Sequence, residues 1–224
     1  MPSTPEGRSR PRTSLDPESI IDAALRLARQ PDPDGMSFRA LGRELGTDPT
    51  AVYRHFRDRN ELVEAALDRL MFEVVAAVPA DAPWRDRLRA VASGYLDAVV
   101  AHPVVGVEAG HRTTGGTGER AMLELLLAAL TDAGLSPAQV ARYYPLLAGY
   151  AASMAAAQAA HRLQDDRGLE ASERAWVTTQ TLLDAELYPT AVALRDQVSS
   201  LRDADVFRSG LELLLDAVEA ATET

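Results

Sequence analysis

The sequence predicts an all-α fold in which a small three-helix unit precedes a larger helical one. Apolar residues recur at helical spacing from Ile20 to Val218, and no alternating apolar pattern is long enough for a sheet. Proline, glycine and capping residues cut the chain into helix-sized pieces. A chain of 224 residues has room for one small and one large helical domain. The expected division is a disordered tail over 1–15, a small domain over 16–70 and a larger one over 71–224.

The first helix starts at Asp16-Pro17-Glu18 and presents Ile20, Ile21, Ala24, Leu25 and Ala28 inward, until Pro31–Gly35 breaks it. Ser37 then caps a helix carrying Phe38, Leu41 and Leu45 at helical spacing, and Gly46 stops it. Asp48-Pro49 is the next start signal, and in that helix Val52 and Phe56 share one side. Thr50, Ala51, Tyr53, Arg54 and Arg57 face elsewhere. Ser37–Arg59 therefore reads as a helix-turn-helix, whose second helix has the narrow apolar stripe expected of one lying in a DNA major groove. The competing reading is a pair of ordinary amphipathic helices with solvated arginines. Asp58-Arg59-Asn60-Glu61 makes a capping-box-like start for a long helix, about Arg59–Val78. Its free N–H groups and Arg59 point to the side of Tyr53 and His55, a natural place for a phosphate.

The run LGRELGTDPTAVYRHFRDRNELVEAAL resembles the DNA-binding domain of the TetR family of bacterial transcriptional regulators. The resemblance spans about the first 70 residues and implies that Arg39, Thr50 and Ala51 lie near base edges. It places Tyr53, His55 and Arg59 on phosphates, with Ser37 capping its helix and reaching the DNA backbone. Pro49 and Ala51 offer no side-chain hydrogen bond, so readout falls to Arg39, Thr50, Tyr53 and Arg54, with arginine to guanine the foremost contact. Two readings stand for His55, phosphate contact or local packing against the next helix. Tyr53 is likewise either a phosphate ligand or a half-buried aromatic.

Pro79–Pro83 ends the long helix, and helical patterns follow at about Trp84–Ala101 and Pro103–Gly110. After a Gly/Thr-rich loop, His111–Gly118, come helices at about Glu119–Ala133 and Ser136–Leu163. A polar stretch leads to Glu173–Leu187, and the last helix covers about Asp205–Ala221. The run LLAGYAASMAAAQAA lets another helix approach closely, and the last helix carries a broad apolar stripe that wants a partner. Both features are open to packing within one monomer. The ending YPTAVALRDQ…FRSGLELLLDAVEAA resembles the C-terminal domain of the Tet repressor subgroup. That resemblance implies a homodimer joined by a four-helix bundle, two reading heads about 34–36 Å apart or a multiple of it, and a near-palindromic operator.

Residues 1–70 hold 11 Arg against 12 acidic side chains, whereas 71–224 hold 12 against 21, so the net charge of −10 sits mostly in the larger domain. Ser37–Arg59 keeps five Arg against three acids, a weak basic footprint that demands specific contacts or dimeric avidity. Arg8, Arg10 and Arg12 lie between prolines, either in a disordered tail or in an arm reaching the minor groove. No Cys is present, which excludes disulfides and thiolate metal sites. Without a signal-peptide core or a membrane-length apolar run, a cytoplasmic protein with no membrane partner is expected.

The larger domain is expected to bind a small-molecule effector, as an apolar pocket between helices with a few polar groups. Candidate lining residues are Tyr95, His102, His111, Met122, Tyr143, Tyr144, Tyr150, Met154, His161 and Trp176, each also explicable as core packing. Glu108 and His111 have a spacing used in di-iron bundles, but the second copy and further carboxylates are missing, so no metal and no cofactor is expected. No nucleophile–base motif and no phosphate-loop lysine occur, since Lys is absent, and an enzyme is not expected. The expectation is a ligand-responsive transcriptional regulator, a repressor released from double-stranded DNA by a small molecule, coupled through the long fourth helix. The alternatives are a protein–protein adaptor and an activator of the same fold.

Overall fold

The computed structural model describes residues 15–32, 34–164, 168 and 183–223. Helix α1 (Pro17–Ala28) opens with a reciprocal cap: Ser19 N–H donates to the Asp16 carboxylate, and Asp16 N–H donates to the Ser19 hydroxyl. Its buried face includes Ile20, Ile21, Ala24, Leu25 and Ala28, the stripe its periodicity predicts. α2 (Phe38–Leu45) begins under the Ser37 hydroxyl, which accepts from Ala40 N–H at 3.3 Å. It ends at Gly46, whose φ of 62° is a left-handed conformation in which only glycine is unstrained.

α3 is shorter than its sequence suggests, covering only Pro49–Val52. Residues Tyr53–His55 continue as turns, although Phe56 N–H still donates to Val52 carbonyl at 3.1 Å. Val52 and Phe56 are buried with Phe38 and Leu41, so hydrophobic anchoring rather than helix length fixes this element. α4 (Arg59–Ala76) starts with Asp58 accepting from Glu61 N–H at 3.0 Å. The expected capping box is displaced by one residue, because the Glu61 carboxylate accepts from Arg57 N–H at 2.6 Å instead of from Asp58.

The larger unit comprises α5 (Trp84–Ala101), α6 (Pro103–Gly106), α7 (Thr117–Asp132), α8 (Pro137–Arg162), α9 (Pro189–Ser199) and α10 (Asp203–Thr222). α5 packs along α8, and α4 packs along α7. α10 lies on α8 and α5. The helix expected over Pro103–Gly110 is confined to Pro103–Gly106, after which the chain turns through residues 107–111. Most of the helix expected at Glu173–Leu187 lies outside the described residues, and its described end, 183–187, is not helical. α9 was not expected; Ala191, Leu194 and Val198 recur at helical spacing, but none of the helix's residues is buried within this chain. No strand occurs among the described residues, and no described helix is long and apolar enough to cross a membrane.

Contacts of α6 and of Asp68 are among those that join the small unit to the large one. α6 packs against α1 and α4. Beside it the His102 ring is buried, its Nδ1 lying 2.7 Å from Ala98 carbonyl and its Nε2 3.2 Å from Arg29 Nε. Arg29 can only donate, so Nε2 accepts, Nδ1 carries the proton and the ring is neutral. The Asp68 carboxylate of α4 makes its contact by capping α7. It accepts from Thr114 hydroxyl at 2.7 Å and from the N–H groups of Gly118 and Glu119 at 2.9 Å. Gly118 is required here, because a Cβ would collide with the Asp68 carbonyl oxygen.

Candidate nucleic-acid interface and helical cavity

On the helix-turn-helix face, Arg39, Thr50, Tyr53 and Arg54 are exposed, while Ser37, Ala51, His55 and Arg59 are half-buried. The Thr50 hydroxyl donates to the Asp48 carboxylate at 2.7 Å, and Thr50 N–H donates to the same oxygen at 2.8 Å. These two bonds hold the Asp48 carboxyl below its usual range. They also commit the only proton of the Thr50 hydroxyl, so outward it offers acceptor lone pairs and a methyl group.

Tyr53 is 60% exposed, yet its ring meets Phe38 edge-on with centroids 4.5 Å apart. The aromatic body is therefore braced on α2 while the ring's far side reaches solvent. Arg39, Arg43 and Arg54 have no carboxylate partner among the described residues. Neighbouring cations are taken: Arg26 pairs with Glu44 at 3.0 Å, and Arg57 lies 3.7 Å from Glu61. Unpaired guanidinium groups beside a braced tyrosine form a surface suited to phosphates and base edges.

Arg59 opens α4 at the seam between the two units, where its charge also acts on Glu108. Burial pushes the Glu108 carboxyl up, but the Arg112 guanidinium and the charges of His111 and Arg59 hold it below its ordinary value. Arg112 ties the seam together through Glu108 at 2.9 Å, Glu64 at 3.1 Å and Asn60 at 2.9 Å. The foot of α4 is thus bonded to the turn after α6.

Above this seam, α4, α5, α7 and α8 line a partly open cavity of about 160 Å³. Of the residues expected at a ligand site, Tyr95, Met122 and Tyr144 line it. His102 belongs to the Arg29 junction instead, and His111 lies on the surface beside Glu108. The Tyr143 hydroxyl donates to Ala217 carbonyl, and Tyr150 bonds the carbonyls of Val206 and Phe207 while stacking on Phe207, so both fasten α10 to α8. Met154 packs against the core away from the cavity, His161 is exposed, and Trp176 lies outside the described residues, as do Arg8, Arg10 and Arg12. Met71, Leu88, Val91, Arg112 and Glu119 line the cavity without having been expected to. The aliphatic ones follow ordinary helical spacing and carry no sequence mark of a binding site. Among the described residues no three metal-ligating side chains converge.

Residues 20–66 match the family model described as bacterial regulatory proteins, tetR family, and residues 78–222 match that of the tetracyclin repressor-like C-terminal domain. The transcriptional repressor DrrR1 of Streptomyces coeruleorubidus is 26% identical over 93% of this chain and 79% of its own length. Several other curated relatives are matched over less than half of their own length. Among solved structures, a TetR transcriptional regulator from Streptomyces coelicolor is 32% identical, with a TM-score of 0.74 over 93% of this chain and 99% of that one. The fold is also that of Streptomyces coelicolor ActR, solved in complex with (S)-DNPA, at 23% identity and a TM-score of 0.77 over 93% of this chain and 98% of that one.

Proposed function

The chain belongs to the TetR family of bacterial regulatory proteins, and from that premise we propose that it is a dimeric repressor that leaves its operator when a small molecule fills the helical cavity. The observation that carries this is the set of unpaired guanidinium groups, Arg39, Arg43 and Arg54, around braced Tyr53 in a chain of net charge −10. In this reading Arg39 and Thr50 meet base edges beside Ala51, and Tyr53, Arg54, His55 and Arg59 hold phosphates with Ser37. The relative DrrR1 is a repressor, which favours repression over activation. ActR has been solved in complex with a small molecule, which favours a small-molecule effector, and the helical cavity is the proposed place for it.

α8 and α10 are the proposed dimer faces. One side of α8 is buried through Ala151, Ala155 and Ala159, while Leu146, Gly149, Ser153 and Ala157 stay exposed on the other. α10 buries Phe207, Leu211, Leu215 and Val218 yet leaves Val206 and Leu213 in solvent. Two such helices from each of two copies make a four-helix bundle.

The test is selection of bound duplexes from a random pool, followed by mobility shifts at two salt concentrations. A near-palindrome is expected, with binding that weakens steeply with salt and a slope flattened by about one unit in Arg59→Ala. Salt-insensitive binding, or no enriched inverted repeat, overturns the reading and leaves a protein-binding adaptor.

A further inference from the structure

We propose that the cavity between α4, α5, α7 and α8 takes a neutral, compact hydrophobe bearing a carbonyl-type acceptor, and that the Tyr95 hydroxyl reads that acceptor. The proposal rests on the reading of the larger unit as the effector-binding part.

The cavity's charged groups are already satisfied. Arg112 is held by Glu108, Glu64 and Asn60. Glu119 accepts from Gly115 N–H at 2.5 Å and from Thr114 hydroxyl at 3.3 Å. An anionic ligand would have to strip Glu108 from Arg112 and sit beside the Glu119 carboxylate. A cation would have to break the α7 cap that Glu119 and Asp68 share. Either exchange replaces a satisfied bond by another and adds the cost of burying a new charge.

Tyr95 differs from these groups. It is only 6% exposed, lines the cavity, and its hydroxyl makes no hydrogen bond among the described residues. A hydroxyl that faces the cavity and has no partner among the described residues is free to donate to an acceptor that enters. Burial, and then the Glu119 charge, push its pKa to about 12, so it stays protonated and acts as a donor at neutral pH. The remaining wall is mostly apolar, with Leu88, Val91, Leu126, Leu147 and Ala151 beside Met71 and Met122, and Tyr144 adds a second aromatic ring. The volume, about 160 Å³, is near that of dry engineered cavities of about 150 Å³ that admit benzene. A fused bicyclic ring fits that volume without helix movement.

The test is calorimetric titration of the full chain with 1-indanone, indane and indane-1-carboxylate, which share one ring frame. 1-Indanone is expected to bind about five-fold more tightly than indane, the span of one neutral hydrogen bond, and the carboxylate weakest. Tyr95→Phe is expected to bring 1-indanone down to the affinity of indane while leaving indane unchanged. Equal binding of indane and 1-indanone by the unmodified chain, tightest binding of the carboxylate, or no saturation by any probe overturns the proposal, and none of these needs the variant to fold. Operator binding is measured separately. If the duplex shifts but no probe binds, the ligand class falls and the regulator stands; if the probes bind as expected but no duplex shifts, the reverse holds.

Discussion

At the scale of single residues, orientation is set by bonds that the reading face does not itself use. Asp48 accepts the Thr50 hydroxyl hydrogen bond, and Phe38 braces the ring of Tyr53, so both side chains are oriented without any DNA present. Arg39, exposed and without a carboxylate partner among the described residues, is the group proposed to recognise guanine. Its replacement by alanine is expected to remove about 1–3 kcal/mol of discrimination at one base pair in each half-site, while affinity for scrambled duplex falls less. Competition shifts with single-base operator variants measure this, and a uniform loss across all sequences would assign Arg39 to phosphate. His102 yields a prediction with a defined sign. Burial lowers its pKa most, Arg29 lowers it further, and the Ala98 carbonyl and Glu73 oppose them, leaving it below the ordinary value. The folded state therefore binds fewer protons than the unfolded one just below about pH 6.5, so stability is full above that pH and declines as pH falls through it. His102→Gln should flatten this part of the profile of unfolding midpoint against pH, because glutamine accepts from Arg29 without titrating.

Among the elements, α4 receives bonds from both units, and Asp68 is the firmest of them. Burial pushes the Asp68 carboxyl up, but donors from Thr114, Gly118, Glu119 and Thr117 outweigh that and leave it below its usual range. A carboxylate that caps a neighbouring helix makes α4 and α7 move together. Asp68→Ala is expected to cost about 1–2 kcal/mol of stability by leaving the α7 N-terminus uncapped. It should also weaken the coupling between cavity occupancy and DNA release; urea unfolding and ligand-dependent shifts report the two effects separately. Most element starts were legible because they are written in local chemistry: Asp16-Pro17, Ser37, Asp48-Pro49 and Ser136-Pro137 each cap a helix where the residues say so. What escaped was set by tertiary contacts. α3 stops at Val52 although the pattern runs to Phe56, because Phe56 reaches the core from a turn. α9 has apolar residues at helical spacing, but no contact within the chain buries them. The helix-turn-helix was legible by spacing and resemblance, whereas the cavity was not, since Leu88 or Val91 lining a void looks the same in sequence as Leu62 filling one.

For the whole molecule the question is what completes the surface of α8 and α10. Within one chain, Arg85 and Arg89 of α5 already hold Glu212, Asp216 and Glu219 of α10, and Tyr143 and Tyr150 pin α10 to α8. Arg89 and then Arg85 draw the Glu212 carboxyl down to about 2, so this clamp persists through ordinary pH and leaves α10 rigid. Rigid docking on one side makes the exposure of the other side informative. Leu213 is 70% exposed in the middle of α10. An exposed leucine alone means little, but together with Val206 and the small exposed residues of α8 it forms a face suited to close helix approach. If two copies meet there, two weak reading heads become one tight binder, because the second head binds at the effective concentration set by the first. Leu213→Glu places a charge in that proposed seam without touching the monomer core. It should keep the helical content and unfolding cooperativity of the original chain, shift the sedimenting species to half the mass, and weaken operator binding by about 100-fold or more. A variant that stays dimeric with unchanged operator affinity would move the interface elsewhere and leave the α8–α10 face without its assigned partner.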